Sequence, residues 1–280
     1  MTSMPPPSDG ELENIEISLL LEAVFRHWGY DFRNYAPASL KRRILNFTRA
    51  EQCRSVSGLQ EKVLYDRATM ERMLLTLSVN VTSLFREPSF FRAIREVIVP
   101  VLRTYPFVRI WCAGCSTGEE VYSLAILLKE EEFYDRCQIY ATDMNEAVLG
   151  KARDGIFHVS LMKEYTANYF LAGGKRSFAD YYTAAYDRAI LEPGLKKNIV
   201  FAQHNLVTDA SFNEFHLIVC RNVLIYFNKF LQSQVHQLLY DSIAPHGILG
   251  LGEKESIRFS PYEHDYEEVQ AGQRLYRRKK

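Results

Sequence analysis

FVRIWCAGCSTGEEVYSLAILLKEEE, Phe107 to Glu132, holds the change of period on which the fold turns. A short apolar run ends in a glycine-containing loop, and apolar residues then recur at helical spacing, so the stretch reads strand, loop, helix. The same alternation continues through CQIYAT (Cys137–Thr142), NEAVLGKAR (Asn145–Arg153), NIVFAQ (Asn198–Gln203), FHLIVC (Phe215–Cys220), KFLQSQVHQLLYDSI (Lys229–Ile243) and GILGLG (Gly247–Gly252). Strand and helix in turn imply right-handed crossovers and a mostly parallel sheet covered by helices on both faces. The tail from Tyr266 to Lys280, YEEVQAGQRLYRRKK, places two strand-like runs around a glycine and reads as an antiparallel hairpin closing the sheet. NYFLAGGKRSFADYYTAAYDRAI, Asn168 to Ile190, interrupts the alternation and is too long for a loop, so an inserted β-subdomain is expected at about 155–197.

Upstream the texture is helical. Three stretches, Leu12–Gly29, Pro37–Gln52 and Ser57–Ser78, repeat apolar residues every three or four positions, with Gly29, Ser39 and Ser57 where caps would fall. The expected organisation is a flexible lead-in at 1–10 and a helical domain at 11–78. A linker and connecting helix follow at 79–106, and an α/β domain at 107–280. At 280 residues the chain has room for two cores. Its 47% apolar and 24% charged residues are ordinary globular composition and exclude a fibrous or disordered class. Thirty-four basic residues balance thirty-four acidic ones, so any polyanion affinity needs a local patch. No apolar run approaches a bilayer-spanning length and the start resembles no secretory leader, which together with an odd set of five cysteines inside apolar segments predicts a cytoplasmic protein with reduced thiols.

In an open α/β sheet the ligand lies at the carboxyl ends of the strands. Here those ends carry Gly114 to Glu120, then Asp143, then His204, Asn205 and Leu206, then Arg221 and Asn222. Asp143, 25 residues past Gly118, is placed to accept from the two hydroxyls of a ribose; the alternative is a helix N-cap before NEAVLG. The loop has no lysine after its glycine, which excludes a phosphate-binding P-loop. Glu119 and Glu120 would repel a pyrophosphate at the helix N-terminus, so NAD and ATP fit poorly. S-adenosylmethionine, with an ammonium and a sulfonium, fits a carboxylate-lined pocket. Ser116 with Glu119, or Thr117 with Glu120, has capping-box spacing, so one glutamate is expected to cap and the other to face the ligand. Cys112-x-x-Cys115 also has the layout of a redox motif, but that reading leaves the other strand ends unexplained. The histidines are scattered away from the cysteines, and no metal site is expected.

With NVTSLFRE (Asn80–Glu87), IWCAGCSTGEEVYS (Ile110–Ser123), YATDMN (Tyr140–Asn145), HNL (His204–Leu206) and CRNVLIYF (Cys220–Phe227), the sequence resembles the chemotaxis receptor glutamate O-methyltransferases, the CheR family. The resemblance covers nearly the whole chain. It implies a Rossmann-like S-adenosylmethionine-dependent methyltransferase domain with an inserted small β-subdomain, preceded by an all-helical domain. The implied reaction is methyl transfer to glutamate side chains on the cytoplasmic helices of chemoreceptors, leaving S-adenosylhomocysteine. Matched position by position, it puts Asn80, Thr82 and Arg86 around the cofactor and reaction centre and Gly114 in the cofactor loop. Glu120 falls near the methionine end, Asp143 on the ribose, Asn205 and Leu206 near the adenine, Arg221 and Asn222 on the pocket wall, and Tyr226 close to the methyl group.

The chemistry agrees with those residues. A glutamate carboxylate, with a pKa of about 4.3, is already a nucleophile at neutral pH, so the site must align it and needs no general base. Arg86 can grip a carboxylate with two hydrogen bonds and Tyr226 can orient it, giving these two catalytic roles; the alternatives are a surface salt bridge to Glu87 and a core tyrosine. Base-amine methyltransferases carry Pro-Pro-aromatic after this strand's Asn, whereas Asn222 is followed by Val223, Leu224 and Ile225. Another acceptor, RNA or small molecule, and a non-catalytic binding module are the rival readings. From Arg26 to Arg54 seven basic residues stand against two acidic ones, a net of +5. This face, around Lys41, Arg42 and Arg43, is expected to meet the chemoreceptor, with no nucleic acid and no membrane insertion expected.

Overall fold

The computed structural model describes residues 9–78, 82–258 and 260–280, which fall into two units. The first holds α1 (Asp9–Trp28), α2 (Pro37–Ala50), α3 (Val56–Tyr65) and α4 (Arg67–Leu77). Leu20, Val24, Ile44, Leu59, Val63 and Met73 are fully enclosed there. Of the expected lead-in, residues 1–8 lie outside the described residues, and α1 begins at Asp9. Gly29 ends α1, its φ of 80° and its N–H on Phe25 O at 2.9 Å forming a left-handed cap. Ser39 and Ser57 do not cap. Pro37 opens α2 with Ala36 as N-cap, and Ser55 caps α3 by accepting from Gly58 N at 3.1 Å. Ser57–Ser78, read from its period as one helix, is two, because Asp66 takes an extended conformation and accepts from Ala68 N and Thr69 N at 3.0 and 3.2 Å.

Tyr226–Leu231 also belongs to this first unit, so no single boundary near residue 78 divides the chain. Tyr35 pairs with Phe227, Ala36 N donates to Tyr226 O at 2.8 Å, and Asn228 N donates to Asn34 O at 2.9 Å. These backbone bonds hold the segment on the helical unit.

The second unit begins with α5 (Pro88–Ala93), a π-helical turn (Ile94–Ile98) and α6 (Val99–Leu102), in the place of the expected linker and connecting helix. Pro100 has no N–H to continue the α-helical ladder, and the wider turn stands before it. β1 (Val108–Ala113), α7 (Glu119–Glu130), β2 (Cys137–Asp143) and α8 (Glu146–Asp154) follow. The inserted region forms β3 (Ile156–His158), α9 (Met162–Leu171), β4 (Tyr182–Ala185) and β5 (Arg188–Leu191). After it come β6 (Ile199–Gln203), β7 (Phe215–Cys220), α10 (Lys229–Ser242), β8 (Ile243–Leu251), β9 (Tyr266–Gln270) and β10 (Leu275–Arg278).

The main sheet has the order β6-β2-β1-β7-β8-β10-β9. Its first five strands are parallel and the hairpin β9–β10 is antiparallel. β1 and β7 are buried at all but one position each, as central parallel strands require. From β1 the chain crosses to β2 on one side and later to β7 on the other, which makes the β1/β7 boundary the switch point where a ligand crevice opens. The insertion carries a three-stranded sheet, β3-β5-β4, plus α9, a helix that the tyrosine-rich sequence did not announce. Buried Glu130 at the end of α7 anchors it, accepting from Arg95 Nη2 at 2.7 Å, Tyr181 OH at 2.9 Å, Lys175 N at 3.0 Å and Tyr169 OH.

Candidate active site

Sheet register brings the predicted strand ends side by side. Ala113 pairs with Thr142, Cys112 with Val219, Cys220 with Leu251 and Asp143 with Gln203, so the residues after β1, β2, β6, β7 and β8 share one edge.

After β1 the chain turns through Gly114, Ser116 and Gly118, all at positive φ. Gly118 is the N-cap of α7, and no side chain caps that helix, which overturns the expected capping box. Thr117 Oγ1 instead donates to Glu119 Oε2 at 2.6 Å, and Tyr165 OH donates to Glu119 Oε1 at 3.4 Å. Gly114 is required by packing: a Cβ there would stand 2.6 Å from Val223 Cγ2. Glu120 Oε2 accepts from Arg221 Nη1 at 2.7 Å and keeps a partly exposed side chain. Burial pushes the carboxyls of Glu119 and Glu120 above their usual range, and at Glu120 the Arg221 guanidinium pulls the other way.

Asp143 is not the N-cap of α8; Asn145 is, accepting from Ala147 N at 3.0 Å. Asp143 Oδ2 accepts from Ser116 N at 2.9 Å and Oδ1 from Asn145 N at 3.0 Å, which ties the loop after β1 to the end of β2. Burial raises this carboxyl as well, opposed by those N–H groups. Beyond β6, Asn205 Oδ1 closes a turn on Val207 N at 3.0 Å with Leu206 half-buried between them. His204 is buried against Trp111 and Phe212.

Arg221 turns inward instead of facing a pocket. Its side chain has no exposed surface, its guanidinium lies 4.0 Å from the centre of the Phe90 ring, and Nη2 donates to Glu87 Oε2 at 2.7 Å and Arg86 O at 3.1 Å. Asn222 takes φ 60°, and its N–H donates to Glu255 Oε2 at 2.8 Å. Burial pushes the Glu87 carboxyl up, and Arg221 with the Glu253 N–H outweighs it, holding Glu87 below the usual range.

The segment bearing Thr82 and Arg86 is fixed on the same unit. Phe85 N donates to Ser123 Oγ at 2.7 Å, Ser83 Oγ to Glu164 Oε1 at 2.7 Å and Asn168 Nδ2 to Leu84 O at 3.1 Å. Arg86 Nε is 3.9 Å from Glu87 Oε1, too long for a hydrogen bond. Asn80 lies outside the described residues. Tyr226 sits in the first unit, with the Arg43 guanidinium 5.1 Å from the centre of its ring. Cys112 and Cys115 are buried with thiols pushed well above their usual range, which removes the redox reading. Sequence reasoning missed Glu255, whose only signal is that an acid follows GILGLG at the last parallel strand end.

Five parallel strands, a switch point and a carboxylate-lined edge define a Rossmann-like domain suited to a cationic nucleoside. Residues 80–273 match the CheR methyltransferase SAM-binding domain and residues 15–78 the CheR methyltransferase all-alpha domain. The chain is 50% identical over 265 residues to Cher3 of Pseudomonas putida, covering 95% of this chain and 97% of that one. It is 31% identical to the chemotaxis protein methyltransferase of Listeria monocytogenes, with 84% and 87% covered, and 30% identical to that of Borreliella burgdorferi, with 87% and 88% covered. This protein belongs to the CheR methyltransferase family, and its cofactor is S-adenosylmethionine. Asp143 and the partly exposed Glu120 fit that cofactor's hydroxyls and positive charge.

Proposed function

We propose that this protein transfers a methyl group from S-adenosylmethionine to glutamate side chains of chemoreceptor cytoplasmic domains, forming glutamate 5-O-methyl esters. The observation that carries the reading is the fixed Thr82–Glu87 segment, joined through Arg221 to the carboxylate edge of the sheet. The family match and the names of the Listeria and Borreliella relatives support the acceptor. When bound, the cofactor supplies an electrophilic sulfonium methyl. Asp143 holds its ribose, Glu120 its methionine end, and Asn205 and Leu206 flank the adenine. Arg221 sets Glu120, and Arg86 aligns the acceptor carboxylate, which is ionised at neutral pH and needs no base.

The basic face of the first unit is smaller than its sequence suggests. Arg26 and Arg33 pair with Glu22, Lys41 with Glu13, and Arg43 donates to Leu77 O at 2.6 Å. Arg42, Arg49 and Arg54 stay exposed and are the residues we assign to an acidic receptor helix. Incubation with radiolabelled cofactor and receptor-bearing membranes tests the proposal. The expected product releases labelled methanol in alkali; label that survives alkali, or label on RNA, would refute the ester assignment.

A further inference from the structure

Glu255 is buried, with 4% of its surface exposed. Its Oε2 accepts from Asn222 N and Gly252 N, both at 2.8 Å, and its Oε1 faces Ile225 N at 3.4 Å. One carboxylate therefore gathers the N–H groups of the turns that leave β7 and β8. Both turns are built around it. Asn222 holds φ 60°, in the left-handed region that asparagine enters more readily than other residues with a side chain, and this turns its N–H toward Glu255. Gly252 leaves no room for a Cβ, which would stand 2.8 Å from Glu255 Oε2 and 2.9 Å from Asn222 N.

The residues flanking Asn222 reach both sides of the cofactor loop. Arg221, before it, bonds Glu120 and Glu87. Val223, after it, fills the space that Gly114 leaves open. A displaced turn after β7 would move the guanidinium that sets Glu120 and the side chain that supports Gly114.

We propose that Glu255 is a positioning residue for cofactor binding, acting through the Arg221–Val223 turn and touching neither cofactor nor acceptor. The inference rests on the reading that the β1/β7 edge binds S-adenosylmethionine. Glu255→Gln keeps one acceptor oxygen for the Asn222 and Gly252 N–H groups and turns its amide toward Ile225, while Glu255→Ala leaves all of those donors without a partner. S-adenosylhomocysteine affinity, measured by calorimetry on protein shown to be folded, should fall about 10-fold in the glutamine variant and about 100-fold in the alanine variant. Gly252→Ala, which leaves Glu255 in place and crowds the same contact, should fall between them.

A purely structural residue would lower the melting temperature and leave the affinity of the folded fraction within twofold of the parent. That result for both Glu255→Gln and Gly252→Ala would overturn the proposal, and the two variants guard against an alanine variant that does not fold. Asp143→Ala run beside them separates the two readings. If it too binds normally, the location of the cofactor site is wrong; if it alone loses affinity, the site stands and the role of Glu255 fails.

Discussion

Arg221 and Glu120 lie 101 positions apart in the chain and meet at 2.7 Å, Nη1 on Oε2, while the other terminal nitrogen of the same guanidinium holds Glu87 at 2.7 Å. One buried cation thus joins α7 to the segment that carries Arg86. Removing one partner of a buried ion pair leaves its charge uncompensated, typically a loss of about 3 to 5 kcal/mol.

Arg221→Met should therefore lower stability by about 3 kcal/mol or more in chemical denaturation and abolish cofactor binding. Arg221→Lys should recover only part of either, because an ammonium cannot fork between two carboxylates while stacking over the face of the Phe90 ring. A loss below about 1 kcal/mol for the methionine variant would show that water reaches both glutamates.

Asp143→Ala should weaken S-adenosylhomocysteine binding by about 1.5 to 3 kcal/mol, since charge-assisted bonds to a ribose are lost. Burial raises the Asp143 and Glu120 carboxyls, so protonation should weaken binding at a pH above the ordinary carboxylate range. The sign for folding is opposite. A carboxyl raised in the folded state contributes stability below its unfolded pKa, and that contribution is lost as pH rises through the folded value. Calorimetry from pH 7 downward on parent and Asp143→Asn should show a steeper loss of affinity in the parent; parallel curves would exclude Asp143 as the titrating acceptor.

The five parallel strands were legible because central strands are continuous apolar runs, and their polar ends could be read directly as a crevice. The contacts across that crevice were not. Nothing in the spacing of Arg221, Glu87, Glu120 and Glu255 says which carboxylate the arginine selects, since that follows from sheet order and from a turn at positive φ. The capping-box reading failed because local spacing cannot see that Tyr165, 46 positions away, and Thr117 take up Glu119. The split at Asp66 was hidden by an apolar period that continues in phase across it. The basic run was overcounted because its neutralising acids, Glu13 and Glu22, lie on α1 outside the window.

Glu51 ties α2 to α3 and α4 through Arg72 at 2.7 and 2.9 Å and Lys62 at 2.5 Å, and these partners, Arg72 foremost, hold its carboxyl down to about 2. For a depressed carboxyl the stability is present above the unfolded value of 4.5 and is lost as pH falls toward 2. With half-exposed partners the contribution should be about 1 kcal/mol. Glu51→Gln should lose that much at pH 7 and show a flatter decline below pH 4.5; an unchanged acid-unfolding profile would assign the decline to other groups.

Reversing Arg42 and Arg49 to Glu should slow receptor methylation most at low salt, with cofactor affinity preserved, because exposed charges steer association and are screened by ions. Arg43→Glu should behave differently, lowering stability by breaking the bond to Leu77 O and the stacking on Tyr226. Equal methylation rates for the double reversal and the parent at every ionic strength would remove this face from receptor recognition.

Arg86 gives the sharpest test of the acceptor site. Its backbone carbonyl is bonded by Arg221, so the position of its main chain is set by the same cation that sets Glu120. Its side chain is 37% exposed and 3.9 Å from Glu87, whose other carboxylate oxygen already accepts from Arg221. A surface pair of that length would contribute about 0 to 1 kcal/mol, and its loss would leave the rate almost unchanged. A bidentate grip on the reacting carboxylate is worth about 2 to 4 kcal/mol in the barrier, or about 30- to 1,000-fold in rate. Arg86→Ala should therefore depress single-turnover methylation by that factor at saturating cofactor while a binding titration changes little. Arg86→Lys should rescue poorly, keeping the charge without the fork. Normal turnover in the alanine variant would make Arg86 structural, and loss of cofactor affinity in proportion to rate would make it a cofactor ligand.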